Sequence, residues 1–481
     1  MSLLTFQQNK SCKELKNKVW LKTLKKNHVL TKHTFEIISL SKPSICRLLE
    51  QLYTHMTRVQ SLGIPLQICG FDILGSARTG SGKTIAFAVP IIEFVQILKW
   101  SFANGLASII ISPTRELTLQ SYYVFKDLLK YHSQTVAVVM GGTNRKTEAD
   151  KLLKGVSILT ATPGRLLDHL KITKGLKFNH LQILVIDEAD RCLEIGFQEE
   201  IYEIVKLLPK ERQTIMFSAT QNSKLCNLAK ISFKKKPIYL GIDDDREENV
   251  IPGIKQGFTI CKPDEKFLIL MTLLKKNIEK KIITFFSSCN EVNFFSSLLK
   301  SIGFEILVLH GKQKQFKRVS TFFTFCKRSK AILFCTDVAA RGLDIPSVDW
   351  IIQFAPPLDP KEYLHRVGRT GRGLNNQGLT LIFILPSEIG LLKYLEKKKL
   401  NLNEFKIPNK NFYVLQAKFE KLVENNFYLK KLAKEALKSF LHSYTNHHLK
   451  DVFNLRKINI RSISKSFGLK NFSEVDFKFQ I

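Results

Sequence analysis

The most pointed chemistry in the chain lies in ten residues, Gly75-Ser76-Ala77-Arg78-Thr79-Gly80-Ser81-Gly82-Lys83-Thr84, which follow an apolar run and precede a helix-like stretch. Phosphate oxygens need backbone N–H donors that converge without side chains in the way. Gly80 and Gly82 permit that, and the following helix would add the positive end of its dipole. Lys83 is placed to reach the outer phosphates of a nucleotide, and the Thr84 hydroxyl to ligate Mg2+. Ala77 stands where this pattern ordinarily has glycine; with Thr79, Gly80, Ser81, Gly82, Lys83 and Thr84 it makes up the expected nucleotide cradle. Further along, the apolar run Ile183-Leu184-Val185-Ile186 ends in Asp187-Glu188-Ala189-Asp190. An acid at the C-terminal end of a buried parallel strand sits where open α/β sheets bind ligands. Asp187 suits Mg2+ coordination, and Glu188 suits the positioning and deprotonation of an attacking water. Alone, the acids could be an ordinary helix start. After a phosphate-binding loop that reading is weak.

A third cluster, His365-Arg366-Val367-Gly368-Arg369-Thr370-Gly371-Arg372, places three arginines within seven residues. It could be a solvated basic loop. The functional reading is arginine fingers brought to the outermost phosphate, each able to accelerate phosphoryl transfer by roughly 10³–10⁵-fold. Their distance in sequence from the phosphate loop makes hydrolysis depend on two domains closing on each other.

The elements that must hold these groups are legible as alternation. Short β-rich runs at 71–77, 107–114, 135–142, 156–164, 183–190 and 214–220 are separated by helical lengths. A more acidic segment at 241–253 interrupts them, and the pattern restarts at 257–260, 281–288, 305–311, 331–337, 348–354 and 379–385. Runs this apolar indicate parallel sheets covered on both faces. The expected organisation is a basic, flexible arm over 1–34, a first domain over 35–240, a linker over 241–256, a second domain over 257–395 and a helical basic extension over 396–481. In that extension Leu429, Leu432, Ala433, Ala436, Leu437, Phe440, Leu441 and Tyr444 recur at spacings of three and four, for which core packing is the default explanation. It also carries 18 Lys and Arg against 8 acids, so its polar face is either solvated or a surface for a polyanion.

The net charge of +32, from 74 Lys and Arg against 42 Asp and Glu, implies a polyanionic partner, nucleic acid before an acidic membrane. The nine cysteines form no CxxC pair and no Cys/His cluster with zinc spacing, which predicts reduced thiols in an intracellular protein. The longest apolar stretch, 86–98, is too short to span a bilayer, and the first residues lack the apolar core of a signal peptide.

Taken together, these motifs resemble the DEAD-box ATP-dependent RNA helicases from about residue 35 to 385. The resemblance implies an α/β fold of two tandem RecA-like domains with parallel sheets, ATP and Mg2+ as cofactors, and RNA as partner. It also assigns further residues. Tyr53 would stack on the base and Gln60 would select adenine, since an amide both donates and accepts; the family usually has Gly-Phe where this chain has Leu52-Tyr53. Arg115 in PTREL (113–117), Gly142 beside Gly141, and Thr162 and Arg165 in TPGR (162–165) would grip the RNA backbone. Ser218 and Thr220 would couple hydrolysis to strand separation. In the second half Gln315, Arg318 and Thr336 would touch RNA, Asp344 the ribose, Arg369 and Arg372 would be the fingers, and His365 would bridge to the first domain. Stretches at 140–152, 240–245, 310–318 and 320–326, and the tail at 419–444, resemble one subgroup, the nucleolar Has-type helicases of ribosome assembly.

That likeness implies a soluble, monomeric nucleolar enzyme that remodels precursor rRNA in pre-ribosomes by local unwinding, alongside ribosome-assembly proteins. Two alternatives stand beside it: an ATP-gated RNA clamp or scaffold with little turnover, and a DNA-directed or processively translocating helicase.

Overall fold

The computed structural model describes residues 30–77, 80–218, 223–241, 254–337, 345, 348–370, 378–397, 400–406 and 412–470. These fall into two compact units, the first ending at Gly241 and the second starting at Ile254. Among the described residues no helix is long and apolar enough to cross a membrane.

The first unit begins with β1 (Leu30–Thr34), α1 (Lys42–Glu50), β2 (His55–Thr57), α2 (Arg58–Ile68), β3 (Ile73–Ser76), α3 (Lys83–Ile97), β4 (Ser108–Ile111) and α4 (Arg115–Leu128). It continues with β5 (Val136–Val139), α5 (Arg145–Leu153), β6 (Ile158–Ala161), α6 (Pro163–Ile172), β7 (Ile183–Ile186), α7 (Ala189–Ile195), α8 (Gln198–Leu207), β8 (Gln213–Ser218), α9 (Ser223–Ser232) and β9 (Ile238–Gly241). Seven strands form a parallel sheet in the order β5-β6-β4-β7-β8-β3-β9. The central strands are buried at every position, and alternate residues serve opposite cores. Ile183 and Val185 join Phe87, Phe94 and Phe125 on one face; Leu184 and Ile186 join Leu166, Ile201 and Leu228 on the other.

One boundary differs from expectation. The arm expected over 1–34 ends in β1, which pairs antiparallel with β2 and donates from Thr31 Oγ1 to the Met56 carbonyl at 2.9 Å. Phe35, buried behind it, fixes the end of that strand in the core. Residues 1–29 lie outside those described.

The second unit runs β10 (Ile254–Ile260), α10 (Pro263–Lys276), β11 (Lys281–Phe286), α11 (Cys289–Ser301), β12 (Ile306–Leu309), α12 (Gln315–Lys327), β13 (Ala331–Thr336) and β14 (Trp350–Gln353). It is completed by α13 (Pro360–Val367), β15 (Gly378–Ile384), α14 (Gly390–Glu396), β16 (Asn403–Glu404), α15 (Phe412–Asn425), α16 (Phe427–Thr445) and α17 (Ile460–Ser466). Its sheet, also parallel, has the order β12-β13-β11-β14-β15-β10-β16. The expected linker therefore loses both ends to strands, Gly241 closing β9 and Ile254 opening β10.

The extension expected as helical from 396 first adds the short edge strand β16 beside β10. Its helices then complete the second core. Leu429, Ala433, Ala436, Leu437 and Leu441 of α16 turn inward with Phe419, Val423 and Phe467 against Phe267, Phe294 and Phe295. Rings meet at 5.0 Å between Phe267 and Phe419 and at 5.5 Å between Phe295 and Phe467. Asn290 Nδ2 donates to Ser439 Oγ at 2.7 Å, fixing α11 against α16.

Candidate active site

In the first sheet β3 and β7 both neighbour β8, so the loop after β3 and the acids after β7 emerge close together at the C-terminal edge. Gly82 caps α3 in the left-handed region, with φ +88, and a Cβ there would lie 2.5 Å from Gln60 Nε2. Only glycine fits both conditions. Ala77 has no positive φ, packs into the core and donates its N–H to the Ser218 carbonyl at 3.2 Å, so alanine is accommodated there. Gly80 turns through φ +79, and Ser81 and Thr84 are half-buried on either side of Gly82 and Lys83. Arg78 and Thr79 lie outside the described residues.

Lys83 is 6% exposed, and its ammonium has no hydrogen-bond partner; its counterion is Asp187, with Nζ and Oδ1 3.9 Å apart. A buried ammonium with three unused donors is costly unless an anion takes them. Burial pushes the Asp187 carboxyl above the ordinary aspartate range, opposed by Lys83 and by the Glu188 N–H that donates to Oδ1 at 3.0 Å. Glu188 caps α7 at φ 47, a left-handed backbone that non-glycine residues seldom adopt. A charge-rich polyphosphate with a divalent ion fits this donor set.

Gln60 ties the loop to α2. Its Oε1 accepts from the Thr57 N–H at 2.8 Å, and its Nε2 donates to the Gly82 carbonyl at 3.1 Å. One N–H and one lone pair remain for a base edge. Tyr53 is exposed two residues before β2, so its ring is accessible for stacking.

A second face of the same edge gathers the residues expected to hold RNA. The Arg115 guanidinium, at the start of α4, lies over Gly141 and Gly142; a Cβ on Gly142 would come within 2.4 Å of Nη1. Thr162 Oγ1 accepts from the Gly141 N–H at 3.4 Å and precedes α6, where Pro163 opens the helix. Arg165 Nη1 donates to Glu148 Oε2 at 2.6 Å and Nη2 to the Thr143 carbonyl at 3.2 Å. Glu148, which sequence reasoning missed, holds the whole group. It also accepts from the Met140 N–H, from Thr143 Oγ1 and from the buried ring of His169. Burial opposes its charge, yet these hydrogen bonds and the Arg165 charge prevail and hold the carboxyl below the ordinary glutamate range. Two helix N-termini, those of α4 and α6, thus point from one loop network, an arrangement suited to a phosphodiester chain. Ser218 is buried at the end of β8, paired in register with Ser76; Thr220 lies outside the described residues.

In the second unit two of the three arginines, Arg366 and Arg369, are described and differ in their surroundings. Arg366 is a structural hub: Nε and Nη2 grip the Asp337 carboxylate at 2.6 Å each, while Nη1 donates to Gln353 Oε1 and the Ala355 carbonyl. It thereby locks α13 onto the ends of β13 and β14. Its partner Glu362 lies four residues back on the helix, a signal visible in sequence; Asp337 gave none. Arg369 is only 1% exposed, with Nε donating to the His365 carbonyl at 3.3 Å. His365 is half-buried on the same helix. Thr336 is buried at the end of β13, and Gln315 and Arg318 share the first turn of α12. Arg372 and Asp344 lie outside the described residues.

Comparison with known proteins establishes the family. The DEAD/DEAH box helicase model matches residues 57–228, and the helicase conserved C-terminal domain matches 265–373. The C-terminal extension of SPB4-like ATP-dependent rRNA helicases matches 426–472. The ATP-dependent RNA helicase HAS1 of Pyricularia oryzae is 49% identical over 92% of this chain and 76% of its own length. HAS1 of Saccharomyces cerevisiae is 49% identical over 90% of this chain and 86% of its own. Among solved structures, Mss116p bound to ssRNA and AMP-PNP superposes with a TM-score of 0.79 at 28% identity, covering 92% of each chain. The chain belongs to the DEAD-box family of ATP-dependent RNA helicases, in the group that includes HAS1.

Proposed function

We propose that this helicase remodels precursor ribosomal RNA during ribosome assembly, in the nucleolus and among assembly proteins. The observation that carries the reading is the extension over α16 and α17. It matches that of SPB4-like rRNA helicases and is built into the core of the second unit, so it is part of the enzyme's working structure. Lys83 would take the outer phosphates of ATP, and Thr84 and Asp187 would hold Mg2+. The ion supplies charge neutralisation at the phosphate oxygens. Glu188 would orient and deprotonate the attacking water, and Arg369 and Arg372 would stabilise charge on the transferred group. Gln60 and Tyr53 would read the base. Arg115, Gly142, Thr162, Arg165, Gln315, Arg318 and Thr336 would hold the RNA backbone. Contacts of that kind carry no sequence information, so target choice must come from elsewhere on the protein or from its partners.

Steady-state ATP hydrolysis by the full chain, without nucleic acid, with structured RNA and with matched DNA, tests the chemistry. Strong stimulation by RNA alone is expected, with turnover reduced roughly 10²–10⁴-fold by Glu188→Gln and about 10³-fold or more by Arg369→Ala. Equal stimulation by DNA would sink the RNA-directed assignment. Crosslinking to cellular RNA followed by sequencing tests the substrate: precursor rRNA should dominate, and a spread over messenger RNA would overturn it.

A further inference from the structure

Phe316, in the first turn of α12, is 86% exposed, a degree matched among the phenylalanines of the described residues only by Phe427. Its surroundings are one-signed. Lys312, Lys314, Lys317 and Arg318 flank it, and no acid occurs between Glu305 and Asp337. The buried ring of His310 registers that field: burial first, then Lys312, Arg318 and Lys317, lower its pKa to about 4. A Cβ placed on Gly311 meets nothing within 4 Å, so the approach to this turn is open. The patch at Phe427 and Tyr428 differs, because Glu420, Glu424 and Glu435 lie among its lysines.

A phenylalanine left in water on a turn whose flanking sequence is basic has the two parts of a single-strand binding platform: positive charge that follows a phosphate chain and an aromatic face on which a base stacks. Gln315 and Arg318, on the same turn, are proposed above to hold the RNA backbone, so a base of that strand has an apolar face within reach. We propose that Phe316 is a stacking platform for one unpaired nucleobase of the bound RNA. The inference rests on the RNA-binding reading of Gln315 and Arg318. Stacking is indifferent to base identity, so Phe316 adds affinity and register without sequence preference.

The test is fluorescence anisotropy of full-length protein with single-stranded RNA and a non-hydrolysable ATP analogue, using intact RNA and a set carrying one abasic site at successive positions. Phe316→Ala should weaken binding of intact RNA by on the order of tenfold, and Phe316→Trp should restore it. One abasic position should weaken wild type to the level of Phe316→Ala and leave that variant unchanged. Equal affinity of wild type and Phe316→Ala for intact RNA overturns the proposal, and would direct attention to a protein contact instead. So does an equal loss in Phe316→Ala on every abasic RNA, which marks a general electrostatic or folding effect. Failure of wild type to bind RNA at all would overturn the underlying RNA reading and this inference with it, an outcome distinct from the other two.

Discussion

Leu52 is held at φ 59 with its side chain 84% exposed. A left-handed backbone costs a non-glycine residue about 1–2 kcal/mol, and nothing here is buried in return. A glycine here would adopt the conformation freely, since the chain must reverse after α1 to present Tyr53. Leu52→Gly should therefore stabilise the first unit by about 0.5–1 kcal/mol once glycine's extra chain entropy is subtracted. Urea denaturation followed by a probe in that unit would read the gain, and no change or a loss would refute the strain. At this scale the sequence was only partly readable. Lys83 and Asp187 meet as the spacing of loop and strand implies, because only β8 separates their strands. The second duty of Gln60 toward Gly82, the hub role of Glu148 and the clamp of Arg366 on Asp337 depend on partners 22, 17 and 29 positions away. No local pattern records such pairs.

At the scale of elements, the buried parallel strands stood out as apolar runs, since a strand covered on both faces has no polar side to disguise it. Of the strands that escaped notice, β1 and β2 form a separate two-stranded ribbon, and β9 and β16 lie at sheet edges, where Tyr239 and both residues of β16 face solvent and the signal fades. Helix α11 carries a different consequence of burial. Glu291, in its first turn, is enclosed beside Lys266 of α10 and accepts from Ser287 Oγ, and burial pushes its carboxyl up to about 7. Glu388, also buried, faces the same Lys266. Because the folded state favours the neutral acid, the stabilisation is complete below the ordinary glutamate range and is lost as pH rises through about 7. The second unit should lose about 1 kcal/mol between pH 6 and pH 8 through this group. Glu291→Gln should flatten that slope in denaturant titrations at the two pH values; an unchanged slope would assign the effect to another group.

The molecule as a whole is two parallel sheets of unequal self-sufficiency. The first is covered by helices that lie between its own strands in sequence. The second relies on α15, α16 and α17 to cover Phe267, Phe294 and Phe295. Phe467, packed against Phe294, Phe295 and Phe440, is the test of that dependence. Phe467→Ala should cost the second unit about 3–5 kcal/mol. Hydrogen exchange should then quicken in β11 and β14 while β4 and β7 keep their protection, and unchanged exchange in β11 would refute a shared core. The same arrangement governs how the chain is made. Strand β9, which closes the first sheet, leaves the translating ribosome with Gly241, so that unit can fold while synthesis proceeds. The second has no complete core until Phe467 and Leu469 emerge. At about 5–20 residues per second, synthesis from Phe267 to Phe467 takes about 10–40 seconds, and through that interval the phenylalanine-rich face of the second sheet is without its cover.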